Sequence, residues 1–270
     1  MKNFMILLLG LLCTMSVSAQ NPDSLATKPL TQAELEPSYS PEQAWSAANE
    51  AYIAGEFARA EELYERIVAD DKHSLKLYFN LANACFKQNE LGKAILYYKR
   101  ALRLSPGDED VRHNLAIAES MTKDRIEQVP EFFLKTWLRS VRNTLSCRSW
   151  TIASLAMLAI TLILGLLFVL SQRLVLRKVG FYGVLVTALL FVATTWFAAS
   201  ERDVMLDREE AVVMTSTASV KSSPDRSATD LFVLHEGTTV RIVETLDEWS
   251  EIVIADGKKG WIESEKIKQI

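Results

Sequence analysis

Two stretches of the chain contain no charged residue: residues 150–170, WTIASLAMLAITLILGLLFVL, and residues 179–199, VGFYGVLVTALLFVATTWFAA. A helix needs about 20 predominantly apolar residues to cross roughly 30 Å of hydrocarbon, and each stretch meets that length. Buried core helices are usually shorter and keep a polar face. Here every face is apolar, and Trp150, Tyr182 and Trp196 stand near the segment ends, where interfacial aromatics belong. The pattern predicts a two-helix transmembrane hairpin. Because two spans return the chain to its starting side, the regions on either side of the hairpin must fold as separate units on one face of a membrane.

The connector, residues 171–178 (SQRLVLRK), carries Arg173, Arg177 and Lys178, which favours a cytoplasmic loop. Lys135, Arg139, Arg142 and Arg148 precede the first span, so cations alone do not orient it. The N-terminus does. Residues 1–19 combine Lys2, an apolar run and a Val17-Ser18-Ala19 ending, the layout of a secretory signal peptide with cleavage after Ala19. Export of the chain beyond Ala19 places both flanking regions in the periplasm of a bacterial inner membrane. Cys13 follows Leu12, where a lipoprotein signal would carry a small residue. Cys85 and Cys147 are too far apart to read as a disulfide framework. Residues 20–41, rich in Pro, Ser, Thr and Gln without periodicity, read as a disordered tether.

Residues 42–127 show an internal period of 34: Ala48-Asn49, Phe57, Ala60 and Tyr64 recur as Ala82-Asn83, Leu91, Ala94 and Tyr98, and Asn80-Leu81-Ala82 as Asn114-Leu115-Ala116. That period and the block LYFNLANACFKQNELGKAILYYKRALRLSP resemble tetratricopeptide repeats, with Ala82, Ala94 and Ala101 permitting close helix approach and Pro106 stopping the second helix. The first copy has Lys72 in place of that proline, and the third keeps only its first helix, as a cap. Such arrays hold extended segments of other proteins on their concave face. The residues expected to line it are Asn49, Tyr52, Asn80, Asn83, Lys87 and Asn114. Amides that both donate and accept suit a peptide backbone, and they suit helix–helix hydrogen bonds within the array equally. The pattern also resembles the clamp by which some of these proteins hold a terminal carboxylate, although Trp45 and Asp110 stand where that clamp uses lysines.

Residues 130–148 place Phe133, Trp137, Leu138, Val141 and Leu145 at helical spacing, with Lys135, Arg139 and Arg142 between them and Pro130 at the start. A helix lying on anionic lipid and a helix packed on the last repeat both fit.

From residue 208 to 270 the period changes to two, with turn signals at Ser222-Ser223-Pro224, His235-Glu236-Gly237, Asp256-Gly257 and Lys259-Gly260. Short antiparallel strands of this number predict a small barrel. SVKSSP, LHEGTTV and EWSEIVIADGKKGWI resemble a bacterial SH3-like domain. From Ser200 onward 15 acidic residues face 9 basic ones, which excludes nucleic acid as a partner. Peptidoglycan and a neighbouring protein both remain open as ligands. Trp249 and Trp261 are candidates for a ligand groove, Trp261 being the one expected to complete the core instead.

His73, His113 and His235 have no metal-ligand spacing, and no phosphate loop or nucleophile elbow occurs. Ser222, Ser223 and Asp225 suit a turn. The reading is a multidomain protein without enzymatic activity, cofactor or metal: an all-α repeat array, a two-helix transmembrane hairpin and an all-β SH3-like barrel. In that order, and in the blocks LKLYFNLANACF and EDVRHNLAIA, the chain resembles the BatE family of the Bacteroides aerotolerance operon. The resemblance implies a membrane scaffold linked to stress tolerance, acting beside von Willebrand A-domain proteins and a MoxR-type ATPase. An envelope sensor that binds cell-wall material through the SH3-like module is the alternative.

Overall fold

The computed structural model describes residues 40–126, 132–206 and 209–270. The signal-peptide reading, all but the end of the tether, and the expected helix start at Pro130 lie outside the described residues.

Five helices build the repeat array: α1 (Pro41–Ile53), α2 (Phe57–Ala69), α3 (Leu75–Lys87), α4 (Leu91–Leu104) and α5 (Glu109–Ser120). Ser40 opens α1 with a capping box, its hydroxyl accepting from Gln43 N at 3.3 Å while Gln43 Oε1 accepts from Ser40 N at 2.9 Å. Ser74 and Asp108 cap α3 and α5 in the simpler way. The repeat is visible in the backbone itself. Gly55 and Asn89, 34 positions apart, both take positive φ (82° and 64°), and the next residues, Glu56 and Glu90, return N–H bonds to Ala51 O and Cys85 O. Ala48, Ala60, Ala82 and Ala94 are all fully buried, so the small residues sit where the helices cross most closely.

The hairpin consists of α7 (Cys147–Leu170) and α8 (Leu174–Leu206), after a short amphipathic α6 (Phe133–Arg142). Both long helices are long and apolar enough to cross a membrane, and very little of either is buried inside the fold. The expected eight-residue loop is shorter than its sequence suggests. Only residues 171–173 leave the helices, because nothing from Leu174 to Lys178 breaks a helix, and Arg177 lies over the Phe168 ring at 5.7 Å. Likewise α8 runs past Ala199 into the charged residues 201–203, where Glu201 meets Arg142 at 3.1 Å. The two helices pack through small and polar residues, with Ser154 and Thr195 hydroxyls 2.7 Å apart and Thr161 donating to Thr187 at 2.8 Å. A Cβ on Gly180 would lie 2.8 Å from the Phe168 backbone nitrogen, whereas one on Gly165 would meet only Val184 Cγ2 at 3.9 Å. Gly180→Ala is therefore expected to destabilise the hairpin by about 1–3 kcal/mol and Gly165→Ala to be tolerated, as read by thermal unfolding in detergent.

The C-terminal module is an antiparallel sheet of β1 (Glu210–Val213), β2 (Ala218–Lys221), β3 (Asp230–Leu234), β4 (Thr239–Leu246), β5 (Trp249–Val253), β6 (Lys259–Glu263) and β7 (Ile267–Gln269). Its strand order is β3-β2-β6-β5-β4-β1-β7, so β3 and β7 are the edges. Alternation sends Ala211, Val213, Val220, Ile252 and Ile262 into one core cluster around which the sheet curls. Asp256-Gly257 makes the β5–β6 turn, Gly257 supplying φ 89°.

This module is seated on the array. Ile126, from the strap that leaves α5, packs against its core. Asp124 on the same strap accepts from His235 N (2.7 Å), His235 Nδ1 (2.6 Å) and Thr238 Oγ1 (2.7 Å). Helix α4 lacks a side-chain cap of its own and receives one from Glu236, whose carboxylate accepts from Gly92 N at 2.8 Å. Arg100 donates to Gln269 O at 2.7 Å and Arg103 to Ile270 O. The repeat explains why this surface needs a partner. In α2, Glu61 and Glu65 face the following α4 and bond Lys93 and Tyr97. Their equivalents 34 residues on are Ile95 and Lys99, and Ile95 abuts Gly237, where an added Cβ would be 2.9 Å from its Cδ1. The β-module thus occupies the place of the second helix that the third repeat lacks.

Candidate functional site

The array brings its first-position helices α1, α3 and α5 side by side, and with them the asparagines. Tyr64 donates to Asn49 Oδ1 at 2.7 Å and Asn80 Nδ2 to the same oxygen at 3.2 Å. One repeat on, Tyr98 and Asn114 Nδ2 converge on Asn83 Oδ1 at 2.5 and 3.1 Å. The repeated tyrosine is buried in both cases, and burial raises both phenol pKa values, so each remains a donor at neutral pH. Of the two uses open to these asparagines, the internal one accounts for the oxygens of Asn49 and Asn83 and the amide nitrogens of Asn80 and Asn114. Among the described residues the Nδ2 groups of Asn49 and Asn83 make no hydrogen bond within the chain.

Tyr52, Asn83, Lys87 and Asn114 line a cavity of about 240 Å³, together with Phe86 and Ile117. Asn49 and Asn80 stand outside that lining. Phe86 and Ile117 follow Asn83 and Asn114 by three residues, one turn further along the same helix face, and that spacing is the signal by which the sequence offers them. The cavity presents an apolar wall, an amide edge and the exposed Lys87 ammonium. These are the groups that hold an extended segment with an apolar side chain and a neighbouring acceptor.

In the β-module the two tryptophans differ in exposure. Alternation places both on the face opposite Ile252 and Ile262, with Trp249 across from Glu263 and Trp261 across from Glu251. Ile262 takes the core position, so Trp261 is turned outward and only half buried, while Trp249 is 8 % exposed. Trp261, expected to complete the core, is the more accessible of the two.

No sequence pattern signals the ionic cluster around the buried Glu61, between α2 and α4. Lys93 Nζ lies 2.5 Å from Glu61 Oε1 and 2.8 Å from Glu90 Oε2, and Gln88 Nε2 donates to Glu61 Oε2 at 2.5 Å. Burial acts to lower the Lys93 pKa, but the hydrogen bonds it donates to the Glu61 and Glu90 carboxylates outweigh it and hold the ammonium above its ordinary value. Ligand atoms of Glu61, Cys85 and Glu90 fall within 4.8 Å of one another, yet the ammonium already supplies the positive charge between the two carboxylates. Burial, reinforced by Glu61, pushes the Cys85 thiol far above its usual range, so it is not a reactive thiolate.

Comparison with known proteins fits this geometry. Residues 46–109 match the family model for tetratricopeptide repeats, and residues 216–268 match the bacterial SH3 domain. No curated protein matches the chain. Domains of these two kinds are typically non-catalytic and serve protein–protein interaction, and the second also cell-wall binding.

Proposed function

We propose that this protein is a non-catalytic, membrane-anchored adaptor whose repeat groove holds an extended segment of a partner protein. The observation that carries the reading is the cavity formed by Tyr52, Asn83, Lys87 and Asn114 on neighbouring helices, while the β-module is engaged elsewhere, on α4 and the strap after α5. In this reading α7 and α8 span the bacterial inner membrane, array and β-module both stand in the periplasm, and the chain needs neither cofactor nor metal. The BatE-like order of modules supports a place in a stress-related membrane complex with von Willebrand A-domain proteins and a MoxR-type ATPase. The three-residue connector favours co-location over signal relay, since it offers a cytoplasmic partner little surface.

Crosslinked co-purification from membranes tests the groove. Lys87→Glu and Ile117→Asp alter exposed side chains on its rim and are expected to cut recovered partner protein about tenfold. Unchanged recovery in both variants sinks the groove reading. The outward Trp261 favours a second reading, in which the β-module binds peptidoglycan as an envelope sensor. That reading requires cell-wall pull-down by the intact protein and its loss in Trp261→Ala.

A further inference from the structure

At the head of the hairpin, α6 and the end of α8 enclose a cleft of about 420 Å³, within the roughly 300–1,000 Å³ range of ligand pockets. Its walls are apolar: Leu134 and Leu138 from α6, Trp196 and Phe197 from α8. Lys135, Arg139 and Arg142 border it. The helix is pinned in place rather than loosely apposed. Trp150 Nε1 donates to Arg142 O at 2.9 Å and its ring stacks on Phe197 at 4.9 Å, while the Arg142 guanidinium reaches Ser200 Oγ at 3.4 Å and Glu201 at 3.1 Å.

Helix α6 itself buries no residue, and Phe132, Phe133 and Trp137 are 67 %, 72 % and 58 % exposed. Phe132 lines the cleft beside Trp196 and Phe197, and very little of α7 and α8 is buried inside the fold. The cleft lies where the apolar stretch of α8 gives way to Ser200 and Glu201, the level at which lipid tails meet headgroups. An apolar slot edged by cations at that level matches one molecule in particular. We propose that the cleft holds an anionic phospholipid from the surrounding leaflet. Its acyl chain lies between Leu138 and Phe197, and its phosphate is met by Lys135 and Arg139. Arg142, which also borders the cleft, pairs with Glu201 and fixes the helix. The exposed aromatics of α6 enter the same leaflet beside it.

The proposal rests on the membrane reading of α7 and α8, and the test separates the two. Full-length protein is first washed with alkaline carbonate; release from the membrane would overturn the anchoring itself. Retained protein is then extracted in mild detergent and exposed to phosphatidylglycerol or phosphatidylcholine of identical chains, and bound lipid is counted by native mass spectrometry. Wild type is expected to keep phosphatidylglycerol about fivefold over phosphatidylcholine, and Lys135→Gln/Arg139→Gln to lose that preference. Leu138→Trp, which fills the slot, is expected to lower binding of both lipids. Equal retention of the two lipids by wild type, an unchanged preference in the double variant, or displacement by free glycerol phosphate would each overturn the proposal.

Discussion

Asp124→Ala is expected to release the β-module from the repeat array while each keeps its own core. Three donors from the β3–β4 turn converge on this one carboxylate, whose side chain is only 14 % exposed. His235 Nδ1 lies 2.6 Å from this carboxylate and its Nε2 2.9 Å from Lys123 Nζ, so the ring bridges two side chains of the strap. Hydrogen bonds to a charged group contribute about 1.5–3 kcal/mol each and do not add, so a docking loss of about 3 kcal/mol is the reasonable scale. Amide exchange at Gly92, whose N–H is bonded to Glu236 across the docking surface, should accelerate about a hundredfold, with exchange at Gly237, bonded to Val213 O within the module, and at Leu81 and Ala82 in the array core unchanged. Wild-type exchange at Gly92 in the variant would show that the latch lies elsewhere.

The same latch predicts a pH response. Burial acts to raise the Asp124 pKa, but the Thr238 and His235 hydrogen bonds outweigh it and hold the carboxyl below its ordinary 3.8. A depressed folded pKa gives stability that is complete above the unfolded value and lost as pH falls through the folded one. The Asp124 contribution to docking should therefore be complete above about pH 4 and fall away below it, and this acid-sensitive part should vanish in Asp124→Ala.

Much of this architecture is local in origin and so legible in the sequence. The 34-residue period, the uncharged segments and the Asp256-Gly257 turn each depend on residues close together in the chain. The docking of the modules does not. The cap of α4 is Glu236, 144 positions beyond Gly92, and nothing near Gly92 announces it. Nor does alternation say which of two tryptophans on one sheet face will be covered, which is why Trp261, expected to complete the core, is the more exposed of the two. The asparagines are legible as a ladder. Their division of labour is not, since it depends on the buried tyrosine hydroxyls of α2 and α4 reaching Asn49 and Asn83. The connector reads as a longer loop than it forms because its three cations suggest a solvated turn, although arginine, lysine and leucine are good helix formers.

Lys93→Met is expected to be the most damaging single change within the array. Glu61 is 6 % exposed and depends on the Lys93 ammonium and the Gln88 amide for compensation. Removing one partner of a buried pair costs about 3–5 kcal/mol, because the remaining charge stays desolvated. Lys93 is itself 38 % exposed, which lets some water replace it and places the expected loss near 3 kcal/mol. Methionine preserves the bulk of the side chain, so a loss of this size is electrostatic. The double variant Lys93→Met/Glu61→Gln removes the stranded charge, keeps an acceptor for Gln88, and is expected to recover most of the lost stability in chemical denaturation. A double variant as unstable as Lys93→Met alone would mean that the aliphatic stem of Lys93, packed between α2 and α4, was the contribution that mattered. Recovery would instead identify the Glu61–Lys93 pair as what holds the second helices of successive repeats in register. It is the polar contact that α4 could not repeat at Ile95, where the β-module packs instead.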